Sequence, residues 1–272
     1  MAIFFFIFGL FWGSFLNNVA YRLKTGESFF LTRSHCPICK KPLSVKELIP
    51  LISFLIQKGR CLGCQSKISL RYPLTEILTA IFTFTLALIF KPWINFFFLI
   101  EFLFYFFLFS VIFILALYDF DTLLVDDRFL FFLFFLGLIF IFYHTYLKIP
   151  YPDFSYLLNY LFILPPYLET LFSSIFLSFL FFFIYLITRG EGLGFGDVKT
   201  VFVIGLFLKF GDALIFLVFS SLLGSLYGLI LFLKEKNLKK PIPFIPFFFL
   251  GLYFTLVLGK TFSAKYLNLI SF

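Results

Sequence analysis

The chain has 272 residues, of which 62% are hydrophobic and only 13% are charged. A soluble domain is roughly half apolar and about a quarter charged, so this composition excludes an ordinary water-soluble fold and indicates a protein surrounded by lipid. The net charge of +8 does not indicate nucleic-acid binding, because the basic residues cluster in short segments beside apolar stretches and no basic, aromatic platform accompanies them.

Apolar stretches close to the length of a membrane-spanning helix, about 20 residues, occur at eight places along the chain. They cover residues 3–20, 74–90, 95–118, 129–147, 167–187, 198–210, 213–233 and 244–259. The sequence therefore predicts an all-α, polytopic transmembrane bundle of about eight spans. The sixth stretch is short, and only Gly211 and Asp212 separate it from the seventh.

The basic residues predict the orientation of these spans. The first stretch has no basic residue before it and is followed by Arg22 and Lys24, so it is expected to be a retained span with an outside N-terminus, not a cleaved signal peptide. The inside segments are then 22–73, 119–128, 188–197 and 234–243. Ten of the 22 Lys and Arg residues lie between Arg22 and Arg71, which fits the excess of positive charge in cytoplasmic segments.

Segment 22–73 is the one predicted inside segment long enough to form a small domain, and it contains all four cysteines. Cys36 and Cys39 form one CxxC pair, and Cys61 and Cys64 form a second pair after a gap of 21 residues. This spacing predicts a tetrahedral zinc site with four thiolate ligands, which leaves no open position and is therefore structural. The alternatives are unpaired thiols, or His35 in place of one cysteine.

Two aspartates stand out among the few acidic residues. Asp119 follows the long apolar third span, and Asp197 ends the sequence Gly-Leu-Gly-Phe-Gly-Asp just before the sixth. Both are predicted at the inside ends of spans, 78 residues apart. Two neighbouring carboxylates that share one proton can hydrolyse a peptide bond, one as base and one as acid. Gly194 and Gly196 would allow close backbone approach beside Asp197.

Other acidic residues have simpler interpretations. Asp121, Asp126 and Asp127 are expected to cap the next helix, because an aspartate near a helix N-terminus is favourable. Glu76 lies just inside the second span, where it can pair with Arg71 or Lys67. Glu101 lies deeper in the third span and is expected to face protein, without an assigned role.

Taken in order, these motifs resemble the type IV prepilin peptidase family, the bifunctional leader peptidase/N-methyltransferases. The resemblance rests on Gly13–Asn17 followed by Tyr21–Leu23, the two CxxC pairs, Ile68–Pro73 with Glu76, Asp119 to Asp127, Gly194–Lys199 and Pro243–Phe247. It covers nearly the whole chain. Asp126 stands where the family has proline, which concerns the turn and not the catalytic position.

The resemblance implies an aspartic endopeptidase with Asp119 and Asp197 as catalytic residues, supported by Gly194, Gly196, Asp127 and Glu76. Its substrates would be type IV prepilins and pseudopilins, whose basic leader stays in the cytoplasm while an apolar helix lies in the membrane. The new N-terminus would then be methylated with S-adenosylmethionine as donor, at residues between Gly13 and Glu76. The implied location is the cytoplasmic (inner) membrane, with the active site at the cytoplasmic face.

The domains implied in this way are a first transmembrane helix (1–21), a cytoplasmic basic four-cysteine domain (22–73) and a transmembrane aspartyl protease domain (74–272). Two alternatives remain at this stage. One is another Gly-x-Gly-Asp intramembrane protease, such as a preflagellin peptidase, although those families generally lack the four-cysteine loop. The other is a transporter or assembly scaffold with intramembrane carboxylates, but the sequence shows no internal repeat.

Overall fold

The computed structural model describes residues 1–28, 33–154, 165–235 and 241–270, and part of the predicted inside segment 234–243 lies outside these ranges. Within the described ranges the regular elements are all helical, which confirms the predicted fold class. The α-helices are α1 (Ala2–Thr25), α2 (Ile52–Ile56), α3 (Arg71–Phe90), α4 (Phe96–Thr122), α5 (Asp127–Leu147), α6 (Pro166–Ile187), α7 (Phe195–Gly205), α8 (Phe210–Glu235) and α9 (Ile245–Ile270), with a 3-10 helix at Val45–Leu48.

Among the residues that the structure describes, six helices are long and apolar enough to cross a membrane: α1, α3, α4, α5, α6 and α8. The apolar part of α9, Ile245–Thr261, is somewhat shorter. Large apolar side chains such as Phe4, Phe131 and Phe179 point outward and are exposed. An outer surface of this kind is expected where lipid replaces water as the solvent.

The predicted sixth span, 198–210, differs from the structure. It is the helix α7, which has only 11 residues and therefore rises about 16 Å, roughly half the thickness of a hydrocarbon core. It packs against α6: the Phe195 ring contacts Phe182, and the Ser174 hydroxyl donates to the Phe202 carbonyl at 2.8 Å. Since α7 is covered by protein, it does not need the length that lipid demands of an exposed span.

The far end of α7 reaches a polar cluster. Lys209 lies 3.6 Å from the carboxylate of Asp153, and the Phe210 N–H donates to Glu169 at 3.1 Å. Glu169 belongs to the first turn of α6, whereas Phe195 contacts the last turns of that helix. The segment formed by α7 and the turn after it therefore runs along α6 and contacts both ends of that helix.

The chain forms two compact units, residues 1–110 and 111–272, with the boundary inside α4. In the first unit α1 lies along α3, and two glycines four residues apart allow this approach. A Cβ atom at Gly9 would lie 2.6 Å from Ala80 Cα, and one at Gly13 would lie 2.8 Å from Glu76 Cα. Small residues at this spacing let membrane helices pack closely, backbone against backbone.

Replacing Gly13 by alanine is expected to destabilise the first unit by about 1–3 kcal/mol, the usual cost of forcing a methyl group into a packed contact. The added Cβ would also overlap the Thr79 hydroxyl. Thermal unfolding of purified protein in detergent measures the effect. Gly228→Ala is the matched control, because the nearest atom to its new Cβ would be 3.4 Å away. An unchanged unfolding temperature for Gly13→Ala would contradict the tight α1–α3 contact.

Candidate functional site

Asp119 lies in the last turns of α4 and is buried, with 5% of its surface exposed. Its Oδ2 atom accepts a hydrogen bond from the backbone N–H of Ile245 at 3.1 Å. Ile245 is the first residue of α9 and belongs to the Pro243–Phe247 motif. The N-terminal end of a helix carries a partial positive charge, and α9 directs this end toward the Asp119 carboxylate.

Asp197 lies in the first turn of α7 and is also buried, with 9% of its surface exposed. Its Oδ2 atom accepts a hydrogen bond from the backbone N–H of Gly194 at 3.0 Å. The first turn of α7 packs against the loop that follows Asp119, with Gly196 against Val125, so Asp119 lies near Asp197. The second unit thus brings together two aspartates that are far apart in sequence, each held by a backbone N–H at a helix N-terminus.

The two glycines before Asp197 serve different purposes. A Cβ atom at Gly196 would lie 2.4 Å from a methyl carbon of Val125, so α7 and the α4–α5 loop can approach only because this residue has no side chain. A Cβ atom at Gly194 would lie 3.4 Å from the Asp197 carboxylate, which is an ordinary contact. Close approach within this chain therefore explains Gly196 and not Gly194.

The loop between α4 and α5 is fixed by its own charges. Asp126 is the N-cap of α5: its carboxylate accepts from the Arg128 N–H at 2.9 Å and pairs with the Arg128 guanidinium at 2.7 Å. These contacts hold the turn in an extended conformation without the proline of the family motif. Asp127 forms an ion pair with Lys199 of α7, which ties the loop to the helix that carries Asp197. The predicted helix-capping role is therefore confirmed for Asp126, whereas it is wrong for Asp121, which lies within the last turn of α4.

The four cysteines of the first unit converge. Their sulfur atoms all lie within 4.8 Å of one another, with 3.9 Å between Cys36 and Cys64 and 4.0 Å between Cys39 and Cys61. Tetrahedral zinc with Zn–S bonds of about 2.3 Å requires sulfur atoms about 3.8 Å apart. The donor set and its spacing therefore fit one zinc ion.

The two CxxC turns have the same backbone design. The Lys40 N–H donates to the Cys36 carbonyl and the Gln65 N–H to the Cys61 carbonyl, both at 2.9 Å. Lys40 and Gln65, which directly follow the second cysteine of each pair, both have positive φ. Antiparallel bridges, His35 with Pro42 and Arg60 with Lys67, close the turns. Each turn presents two sulfur atoms in the same way, as a pair of zinc knuckles does.

A cavity of about 320 Å³ lies between the cysteine region and the helices α1 and α3. Its polar lining includes Ser14, Asn18, Tyr21, Gln57, Tyr72 and Glu76. The Glu76 carboxylate is buried and accepts a hydrogen bond from the Leu51 N–H at 2.9 Å, a backbone partner in place of the side-chain ion pair considered from sequence. The volume is at the lower end of the range for small-molecule sites, and the lining combines aromatic, hydroxyl and carboxylate groups.

Comparison with known proteins covers almost the whole chain. Residues 7–90 match the model of the bacterial peptidase A24 N-terminal domain, and residues 106–229 match that of the type IV leader peptidase family. A protein of Aeromonas salmonicida (strain A449) named prepilin leader peptidase/N-methyltransferase is 32% identical, over 97% of this chain and 93% of its own length. One of Bacillus subtilis (strain 168) with the same name is 32% identical over 97% of each chain. No solved structure gives a significant match.

Proposed function

This chain belongs to the type IV leader peptidase family, and we propose that it cleaves prepilins with Asp119 and Asp197 as its catalytic pair. The observation that carries the proposal is geometric: the start of α7 packs against the loop that follows α4, through Gly196 against Val125 and the Asp127–Lys199 ion pair, and so brings the buried Asp197 near the buried Asp119. Two carboxylates that share a proton can activate water for peptide hydrolysis without a covalent intermediate.

The mechanism follows from the proton that two close carboxylates share. The ionised aspartate takes a proton from a water molecule, and the protonated one donates to the oxygen of the scissile carbonyl as the water attacks. Backbone N–H groups of Gly194 and Ile245 hold one oxygen of each carboxylate and so fix the direction of the other. Since two carboxylates that share a proton titrate as a unit, the roles of acid and base belong to the pair and not to either residue.

The proposed substrates are prepilins and pseudopilins, each with a basic leader in the cytoplasm and an apolar helix in the membrane. Cleavage at the junction requires the catalytic pair at a membrane boundary, where water is available and the scissile peptide has left its helix. Asp119 and Asp197 lie at helix ends, not at mid-helix, as this requires. The positive charge of segment 22–73 supports placing that segment on the cytoplasmic side of the inner membrane, and Arg128 and Arg189 in the predicted inside segments beside Asp119 and Asp197 support the same side for the active site.

For the N-methyltransferase activity we propose the cavity lined by Glu76 as the site of methyl transfer. S-adenosylmethionine supplies the methyl group and carries a positive sulfonium. Of the two carboxylates in the lining, Glu47 already pairs with Lys41, whereas the buried Glu76 is available to a cation. The aromatic residues Tyr21 and Tyr72 line the same cavity. Zinc held by the four cysteines would fix the region 34–67 that forms one wall of the cavity.

Incubation of purified protein with a prepilin and S-adenosylmethionine, followed by mass spectrometry of the product, tests both activities. The expected product lacks the leader and carries one additional methyl group. Product that keeps its leader would overturn the peptidase assignment, whereas cleaved product without the methyl group would overturn only the second activity.

Glu76→Gln is expected to reduce methylation at least tenfold and to leave cleavage within about twofold. Glutamine can still accept the hydrogen bond from the Leu51 N–H, so the variant removes the charge and keeps the local structure. A tenfold loss corresponds to about 1.4 kcal/mol, a modest value for a buried charge that faces a cation. The methylated fraction of cleaved product measures the effect, and an unchanged fraction would leave Glu76 with a structural role alone.

A further inference from the structure

The short helix α2 turns its polar face toward the interior of the cysteine region and its apolar face outward. Ser53 and Gln57 line the inner cavity together with Phe54. Ile52, Leu55 and Ile56 point outward and are 54%, 72% and 75% exposed. A helix on a water-soluble domain buries its apolar face and exposes its polar one. The opposite order indicates that the outer surface of α2 does not face water.

The attachment of α2 places it beside a membrane span. The Leu51 N–H, immediately before α2, donates to the carboxylate of Glu76. Glu76 lies five residues after the start of α3, about 7.5 Å along that helix. At this level α3 already presents Leu74 and Leu78 outward, on the face of a candidate span. Leu51 is therefore held at the depth of apolar side chains and not out in the solvent.

Basic residues accompany the outward apolar face. Segment 45–67 carries Lys46, Lys58, Arg60 and Lys67, all exposed. Its single acidic residue, Glu47, is occupied by the Ser44 N–H and by Lys41. Apolar side chains combined with unopposed positive charge match the boundary between acyl chains and anionic headgroups.

We propose that residues 51–57 lie in this boundary layer of the bilayer, with Ile52, Leu55 and Ile56 inserted among the acyl chains. The partner of this surface is the lipid membrane itself. Through α2 the cysteine region rests on the membrane, and the same segment forms a wall between the cavity and the lipid. If the cavity is the site of methyl transfer, as proposed above, residues 51–57 also form the side of the cavity that the apolar N-terminus of a cleaved prepilin would meet as it arrives from the membrane.

Depth-dependent fluorescence quenching tests the proposal. The native tryptophans are replaced (Trp12→Phe and Trp93→Phe), and a single tryptophan is introduced as Leu55→Trp. The protein is inserted at one copy per nanodisc made of phosphatidylcholine and phosphatidylglycerol with brominated acyl chains. Leu62→Trp is the matched control, because Leu62 is 56% exposed but belongs to the second cysteine turn, which Glu76 does not anchor. We expect quenching at position 55 to exceed that at position 62 at least threefold.

Equal quenching at the two positions would overturn the proposal. A blue-shifted but unquenched tryptophan at position 55 would also overturn it, because a protein surface, either a second copy or a substrate, would then cover α2. Zinc content and prepilin cleavage of each variant show whether the fold is retained. Since the quenching signal needs neither substrate nor S-adenosylmethionine, its failure is distinguishable from a failure of the assigned activities.

Discussion

Asp119→Asn and Asp197→Asn are each expected to reduce prepilin cleavage about 10³-fold or more, because either change removes one half of the acid–base pair. Asparagine has nearly the same shape and can accept the N–H of Ile245 or Gly194 through its amide oxygen. The variants should therefore remain folded and inserted. The initial rate of leader removal from a purified prepilin, followed by gel shift or mass, measures the effect.

Asp121→Asn is the control for this experiment. It removes a carboxylate from the same helix end, two residues after Asp119, but not from the buried pair. Cleavage by this variant should stay within a few-fold of the unchanged protein. Cleavage retained in Asp119→Asn or in Asp197→Asn would remove the basis of the proposed mechanism, whatever the behaviour of the control.

Cys36→Ser is expected to remove most of the bound zinc and to unfold the cysteine region, with loss of methylation. A structural four-thiolate site supplies about 10–16 kcal/mol of apparent folding free energy, and the two CxxC turns have few other buried apolar contacts: apart from Cys36 and Cys61, no residue of 34–49 or 51–69 is buried. Cleavage should persist within about tenfold, because Asp119 and Asp197 belong to the other compact unit. Zinc content by elemental analysis and limited proteolysis between residues 33 and 70 measure the outcome.

Ile38→Ser is the control for the cysteine substitution, because Ile38 lies between two ligands but is 66% exposed. It should retain a full equivalent of zinc. Freshly purified protein without zinc would contradict the metal assignment itself. Cleavage abolished in Cys36→Ser, with the second unit still folded, would contradict the separation of the two activities.

Hydrophobic run length was sufficient to predict most of the helices. The spans placed at 74–90, 129–147 and 167–187 agree closely with α3, α5 and α6, because an apolar stretch bounded by charges or prolines has few alternatives in lipid. The same criterion misjudged α7. Its length is set by packing against α6, through Ser174 and Gly205, and run length contains no information about such protein-covered segments.

Side chains of the site were predictable and their backbone partners were not. Asp119, Asp197 and the cysteines carry their chemistry in their residue type and spacing. The donors that hold the aspartates are the N–H groups of Ile245 and Gly194, which every residue except proline possesses. The sequence does contain one indication of such a donor. Pro246 lies in the first turn of α9, where proline is typical, and the backbone N–H groups of a first turn have no partner within the helix. The Gly9–Gly13 spacing likewise signals close helix contact.

Main-chain anchoring of the aspartates has a consequence for how this enzyme can vary. Because the anchors are peptide groups, side-chain exchange at position 245 leaves the polar frame around Asp119 in place. Proline is the exception, since it alone lacks the N–H. Because Ile245 is completely buried, natural substitutions at this position should be other apolar residues of similar size, and proline should be excluded. A proline scan along 243–247 would distinguish position 245 from positions 243 and 246, where the chain already tolerates that ring.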